Sequence, residues 1–188
     1  MNNINLKTQN LTKLGILAGI SVVLVAFIHF PIVAVAPFLE YDPADIPIIM
    51  GTFALGPAAG LLLTVVVATI QGLTVSAASG GYGILMHIIA TGTYVIVAGN
   101  IYSRHKTRKM AAVALVAGSV AMVLIMIPAN LIITPIFMTV SKDVVKSLLI
   151  PGIIPFNIFK AGLNSILTFL LYKRISGYLH KPTTLSKK

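Results

Sequence analysis

The sequence predicts an all-α integral membrane protein, six transmembrane helices in a single membrane domain over residues 1–188, with both termini cytoplasmic. Three observations carry this. Hydrophobic residues make up 57% of the chain and charged ones 10%, where a soluble domain carries about 25% charged; mean hydropathy is +0.96. The apolar residues fall into segments of spanning length, punctuated by proline, glycine and charge. Charge is also segregated. Lys7, Lys13, the run 104–109 and the tail from Lys173 onward are basic, whereas the four acids, Glu40, Asp42, Asp45 and Asp143, fall in the intervening loops. Basic segments stay in the cytoplasm, so the net charge of +10 describes topology and attraction to anionic lipid rather than nucleic-acid binding.

The first span covers about residues 11–30. An Ala34-Val35-Ala36 sequence after it has the form of a signal-peptide cleavage site, but the apolar run is long enough to cross, and more spans follow. Gly15 and Gly19, with Ala18, give this helix a small-residue face. Such a face packs inside the protein or against a partner, and internal packing is the expectation from sequence alone.

Residues 31–45 form a loop before the second span. Pro31, Pro37, Pro43 and Pro47 exclude a continuous helix, and Asp42-Pro43-Ala44-Asp45 is a turn signal with a carboxylate placed to cap the next helix. The loop reads either as a solvated connection or as a lid over a binding site. Residues 46–55 and 57–73 come next, divided at Gly56-Pro57. Parity requires that division, because an even number of crossings must separate two cytoplasmic basic segments. Residues 74–82 are expected as a flexible outer loop. Span four covers about 83–102 and contains His87, a residue able to bond a neighbouring helix or a ligand. Span five covers about 110–138, with kinks expected at Pro128 and Pro135 around Asn130. An outer loop, 140–150, leads to span six.

Span six, residues 151–174, carries the feature of greatest interest. Asn157, Lys160 and Asn164 recur at i, i+3 and i+7, on one face of a helix. A lysine inside a bilayer costs about 3 kcal/mol on insertion scales and is a functional candidate by default. The alternative is a lysine near the outer interface that snorkels to water.

Several chemistries are missing from the sequence. There is no cysteine, which rules out disulfides, thiolate metal sites and catalytic thiols. No GxxxxGK[ST], HExxH or nucleophile elbow occurs, and His29, His87, His105 and His180 are scattered. The polar residues within apolar segments gather instead towards the outer side, near the acidic loop, Asn130, Asn157 and Lys160. That pattern suits capture of a partly apolar small molecule from outside.

Two stretches, FLEYDPADIP at 38–47 and PFNIFKAGLNSILTFLLYKRIS at 155–176, together with the small-residue pattern of span one, resemble the substrate-binding S components of energy-coupling-factor (ECF) vitamin transporters, of the riboflavin-specific type. The resemblance implies six helices in a bacterial plasma membrane, a vitamin site near the outer surface closed by the first loop, and no catalysis or cofactor. It implies partnership with a transmembrane T component and two ATPases. By position it implies that Asn157 and Lys160 hydrogen-bond the polar edge of the flavin ring, that Leu39 and Tyr41 lie over the ring, and that Ala90 and Asn130 are near it. Gly15 and Gly19 stand where that family carries its alanine-x-x-x-alanine docking pair. A flavin ring presents carbonyls and an NH to such groups, and one lysine without an arginine cluster fits an unphosphorylated ligand. Other ligands of the same class are FMN, thiamine and biotin, although thiamine's positive charge disfavours it beside Lys160. An intramembrane enzyme using Asp42, Asp45 or His87 is the reading from a different class; no acid–base pair has motif spacing for it.

Overall fold

The computed structural model describes the backbone of residues 2–179 and the side chains of residues 8–172. Lys7 and the basic tail residues Lys173, Arg174, Lys181, Lys187 and Lys188, assigned above to the cytoplasmic side, therefore carry no side-chain description. The helices are α1 (Asn2–Phe27), α2 (Asp45–Leu55), α3 (Pro57–Leu73), α4 (Gly80–Arg104), α5 (Arg108–Met138), α6 (Lys142–Leu148) and α7 (Ile154–Leu179). In the first loop β1 (Phe30–Pro31) pairs with β2 (Glu40–Tyr41) as a minimal antiparallel ribbon, Phe30 opposite Tyr41.

Four stretches are long and apolar enough to cross a membrane: Thr8–Phe27, Ala77–Arg104, Arg108–Met138 and Lys142–Tyr172. α2 and α3 are shorter apolar helices. Outward-facing apolar stripes accompany the long ones. On α5, Val113, Val116, Val120 and Leu124 are exposed at i, i+3, i+7 and i+11, the pattern of a helix that meets lipid on one side and the bundle on the other.

The division at Gly56 is present. Gly56 has φ 98° and ψ 171°, a region open essentially to glycine alone, and Pro57 begins α3 at the position where a missing N–H costs nothing. α2 is buried from Asp45 to Phe53 and is surrounded by α1, α3, α4 and α7. Close approach depends on glycine. A Cβ on Gly99 would fall 2.8 Å from both Pro57 and Thr52, so α4 lies directly on the α2–α3 junction.

Several expectations need correction. α1 ends at Phe27, three residues early, because the residue before Pro31 is driven to extended backbone and pairs in the ribbon. Residues 74–82 are not a plain loop: a 3-10 turn at Ala77–Ser79 leads into α4 at Gly80. Residues 140–150 contain α6, whose first turn holds Asp143 where the helix dipole favours a carboxylate, and Lys146 bonds Asp143 at 3.0 Å. A π-turn, Leu149–Ile153, then joins α6 to α7, and Pro151, which cannot donate to the ladder, sits inside it. Finally, Gly15 and Gly19 do not pack internally. Both are exposed, and nothing lies within 4 Å of a Cβ placed on either; α1 turns Leu17, Ser21 and Val25 inward instead.

Candidate functional site

The polar face of α7 points into the bundle, where the first loop meets it. Asn157 and Asn164 are each 1% exposed and Lys160 8%. Lys160 Nζ donates to Asp42 Oδ2 at 2.8 Å. The other Asp42 oxygen accepts from the Ala44 N–H at 3.1 Å, closing the Asx turn that the Asp-Pro-Ala sequence favours. One carboxylate thus shapes the loop and fastens it to α7. Asn164 adds a second tie: its amide nitrogen donates to Asp45 Oδ2 at 3.2 Å and to the Asp42 carbonyl at 3.4 Å, while its oxygen accepts from Tyr41 OH at 3.0 Å. Ser21 of α1 donates to the Ala44 carbonyl at 2.8 Å.

Asp45, at the start of α2, faces α4. Thr91 donates to its Oδ1 at 2.7 Å, and His87 Nε2 lies 3.2 Å from the same oxygen without the alignment of a hydrogen bond. Two carboxylates, one ammonium and one imidazole therefore share a buried polar cluster. Buried charges persist only when paired and hydrogen-bonded, and each carboxylate here has at least two polar neighbours. Tyr41 is 4% exposed and packs against Phe30 and edge-on to Phe159. Burial, with the adjacent Asp42 charge, pushes its hydroxyl pKa above the ordinary tyrosine value, so it remains a donor to Asn164.

Beside this cluster, and lined in part by it, a partly open cavity of about 360 Å³ lies between the first loop and helices α3, α4, α5 and α7. That volume is at the lower end of the range for small-molecule sites. Leu39, Ala90, Asn130, Asn157 and Lys160 all line it. Tyr41 does not; its hydroxyl is bonded to Asn164 instead. Asn157 donates to the Ile153 carbonyl at 2.8 Å, which leaves its oxygen without a donor among the described residues. Asn130 is turned back on its own helix, bonded to the Met126 carbonyl at 2.8 Å and to Thr134 at 2.9 Å. The apolar walls come from Met86, Met122, Met126, Phe38, Phe137 and Phe156. Thioethers and aromatic edges are suited to a flat apolar surface.

Sequence reasoning treated Asp42 and Asp45 as possible caps or acids, not as partners of Lys160 and Asn164, because the 118-residue separation of Asp42 and Lys160 leaves no local pattern. His87 is placed both beside Asp45 and on the cavity wall. Gln71 also lines the cavity and was missed; the lone amide in an apolar span was the available signal. Among the described residues no group of three or more His, Cys, Asp or Glu side chains is arranged to hold a metal.

A family profile described as "ECF transporter, substrate-specific component" matches residues 9–172. Among curated proteins, the chain is similar to the riboflavin transporter RibU of Staphylococcus aureus (strain TCH60), with 29% identity covering 93% of this chain and 94% of that one. It is similar to the riboflavin transporter FmnP of Bacillus subtilis (strain 168), with 23% identity covering 94% and 96%. Among solved structures, one described as the S component of a bacterial ECF transporter superposes with TM-score 0.80 at 27% identity, covering 93% of this chain and 99% of that chain.

Proposed function

The chain belongs to the family of ECF transporter substrate-specific components, and from that premise we propose that it captures riboflavin from outside the cell and delivers it with an energising module. It is a multi-pass cell-membrane protein and, like its family, a transport component rather than an enzyme. The observation that carries the riboflavin reading is the open amide oxygen of Asn157 beside the Lys160 ammonium, on the wall of a cavity otherwise lined by thioethers and rings. In this reading Asn157 accepts from the flavin ring NH and Lys160, with protons to spare beyond its bond to Asp42, donates to a ring carbonyl. Leu39 and Ala90 cover the ring, Asn130 is a nearby polar group, and Tyr41 holds the loop shut behind them.

The same proposal includes six crossings with cytoplasmic ends. Eleven residues of α2 rise only about 16 Å. However, Asp45 lies level with Thr91, and Phe53 stacks on Tyr102, 4.3 Å between ring centres. α2 thus runs beside α4 down to two residues short of Arg104, and the loop before it covers the outer depth. The partners in this scheme are a T component and two ATPases, with the exposed Gly15–Gly19 face of α1 as the docking surface.

An absorption spectrum of detergent-purified protein tests the substrate. The expected result is a yellow, fluorescent ligand, or a saturable heat on adding riboflavin, with Asn157→Ala weakening binding by about 1–3 kcal/mol. Colourless protein that gives no heat with riboflavin would falsify the reading.

A further inference from the structure

A second polar patch lies on the cavity wall away from α7. Gln71, near the end of α3, and Ser76 and Ser79, in the turn after it, all line the cavity. α3 packs on α4, α4 on α5 and α5 on α7, so this patch and the Asn157–Lys160 pair occupy different walls. The patch is uncharged. Ser79 is committed to the Ser76 carbonyl at 2.8 Å. Gln71 is not: its Nε2 reaches Ser76 Oγ only at 3.5 Å, and its Oε1 is shielded from water with no partner among the described residues. A buried amide oxygen rarely stays unpaired, and where one does a missing partner is the first explanation.

We propose that Gln71 recognises the hydroxylated side chain of the flavin, so that the ligand lies with its ring edge at Asn157 and Lys160 and its polyol at α3. This rests on the riboflavin reading above. A hydroxyl both donates and accepts, so it satisfies the Gln71 amide in either orientation. The ring has no hydroxyl to offer, whereas the ribityl chain carries one on each of four carbons. Removing the amide leaves the ring contacts intact and strips recognition of the chain alone.

The test compares riboflavin with lumiflavin, the same ring bearing a methyl group in place of the chain, by fluorescence titration of the full chain in detergent. Wild type is expected to prefer riboflavin. Gln71→Leu is expected to lose about tenfold or more in riboflavin affinity while lumiflavin binding stays within about twofold, and that retained binding shows the variant is folded. Gln71→Asn keeps an uncharged amide and is expected to keep part of the preference. Full riboflavin affinity in Gln71→Leu overturns the proposal, as does a parallel loss of both ligands in both variants. Wild type that binds neither flavin removes the riboflavin reading and this proposal with it, an outcome distinct from a loss confined to the chain-bearing ligand.

Discussion

The two ends of this bundle, called outer and inner after the orientation proposed above, are closed in opposite ways. On the outer side, Asp42, Asp45, Lys160, Asn164, Thr91 and Tyr41 tie a loop and three helices together through polar side chains beside a cavity. On the inner side Phe53 stacks on Tyr102, Tyr172 meets both rings edge-on at 6.0 and 5.8 Å, and the Tyr102 and Tyr172 hydroxyls bond to each other. Between the halves, Tyr94 of α4, Ser119 of α5 and Ser165 of α7 form a small knot with hydroxyl separations of 2.7 and 2.8 Å. Apolar packing has no direction and collapses any void. Hydrogen bonds have direction, so they can hold walls apart. Polar closure is where a cavity can be kept, and apolar closure is where rigidity comes from.

The largest expected effect lies in the polar half. Lys160→Met leaves the buried Asp42 carboxylate without its cation, and an unpaired buried charge costs about 3–5 kcal/mol. Thermal unfolding in detergent should show that loss, together with weak or absent flavin binding, and Asp42→Asn added to it should restore most of the stability. A stable single variant would mean that the outer half does not depend on its ion pair. Phe53→Ala is the matching experiment in the inner half. Opening a cavity beneath the Tyr102 ring is expected to cost about 3–4 kcal/mol, with riboflavin affinity in the surviving folded protein nearly unchanged. If affinity falls equally in both variants, the two halves are not separable.

Smaller effects sharpen the contrast. Tyr41→Phe removes the hydroxyl that bonds Asn164 and no cavity contact, so a loss of about 1 kcal/mol is expected. It should appear as faster flavin dissociation in stopped flow rather than as a changed absorption spectrum of the bound ligand; an unchanged dissociation rate would remove Tyr41 from the loop fastening. Gly19→Leu belongs to neither half. With no neighbour within 4 Å, it should leave the unfolding midpoint and flavin affinity as they are while blocking co-purification with the T component. Assembly at wild-type yield would place the docking surface elsewhere.

The inner half shows why some of this was legible beforehand. Gly56-Pro57 is a local signal, and the break fell where the two residues demand it. The i, i+3, i+7 spacing of Asn157, Lys160 and Asn164 is also local, and all three turned inward together. By contrast, the internal-packing expectation for Gly15 and Gly19 failed because a small-residue face says that something approaches closely, not what. Residues 140–150 were expected as a loop because α6 is too short to show a period.

Hydropathy, helical periodicity and the placement of basic residues are properties of neighbours in the chain, and from them the sequence alone determined a helical membrane protein with one amine and two amides on a shared helix face; that the face turns inward came from the packing. Which carboxylate meets that amine, that Tyr41 bonds Asn164 without lining the cavity, and that Gln71 lines it from α3 were decided only by tertiary structure. Asp42 and Lys160 lie 118 residues apart, and no local rule relates two groups that meet only when the first loop folds back across the last helix.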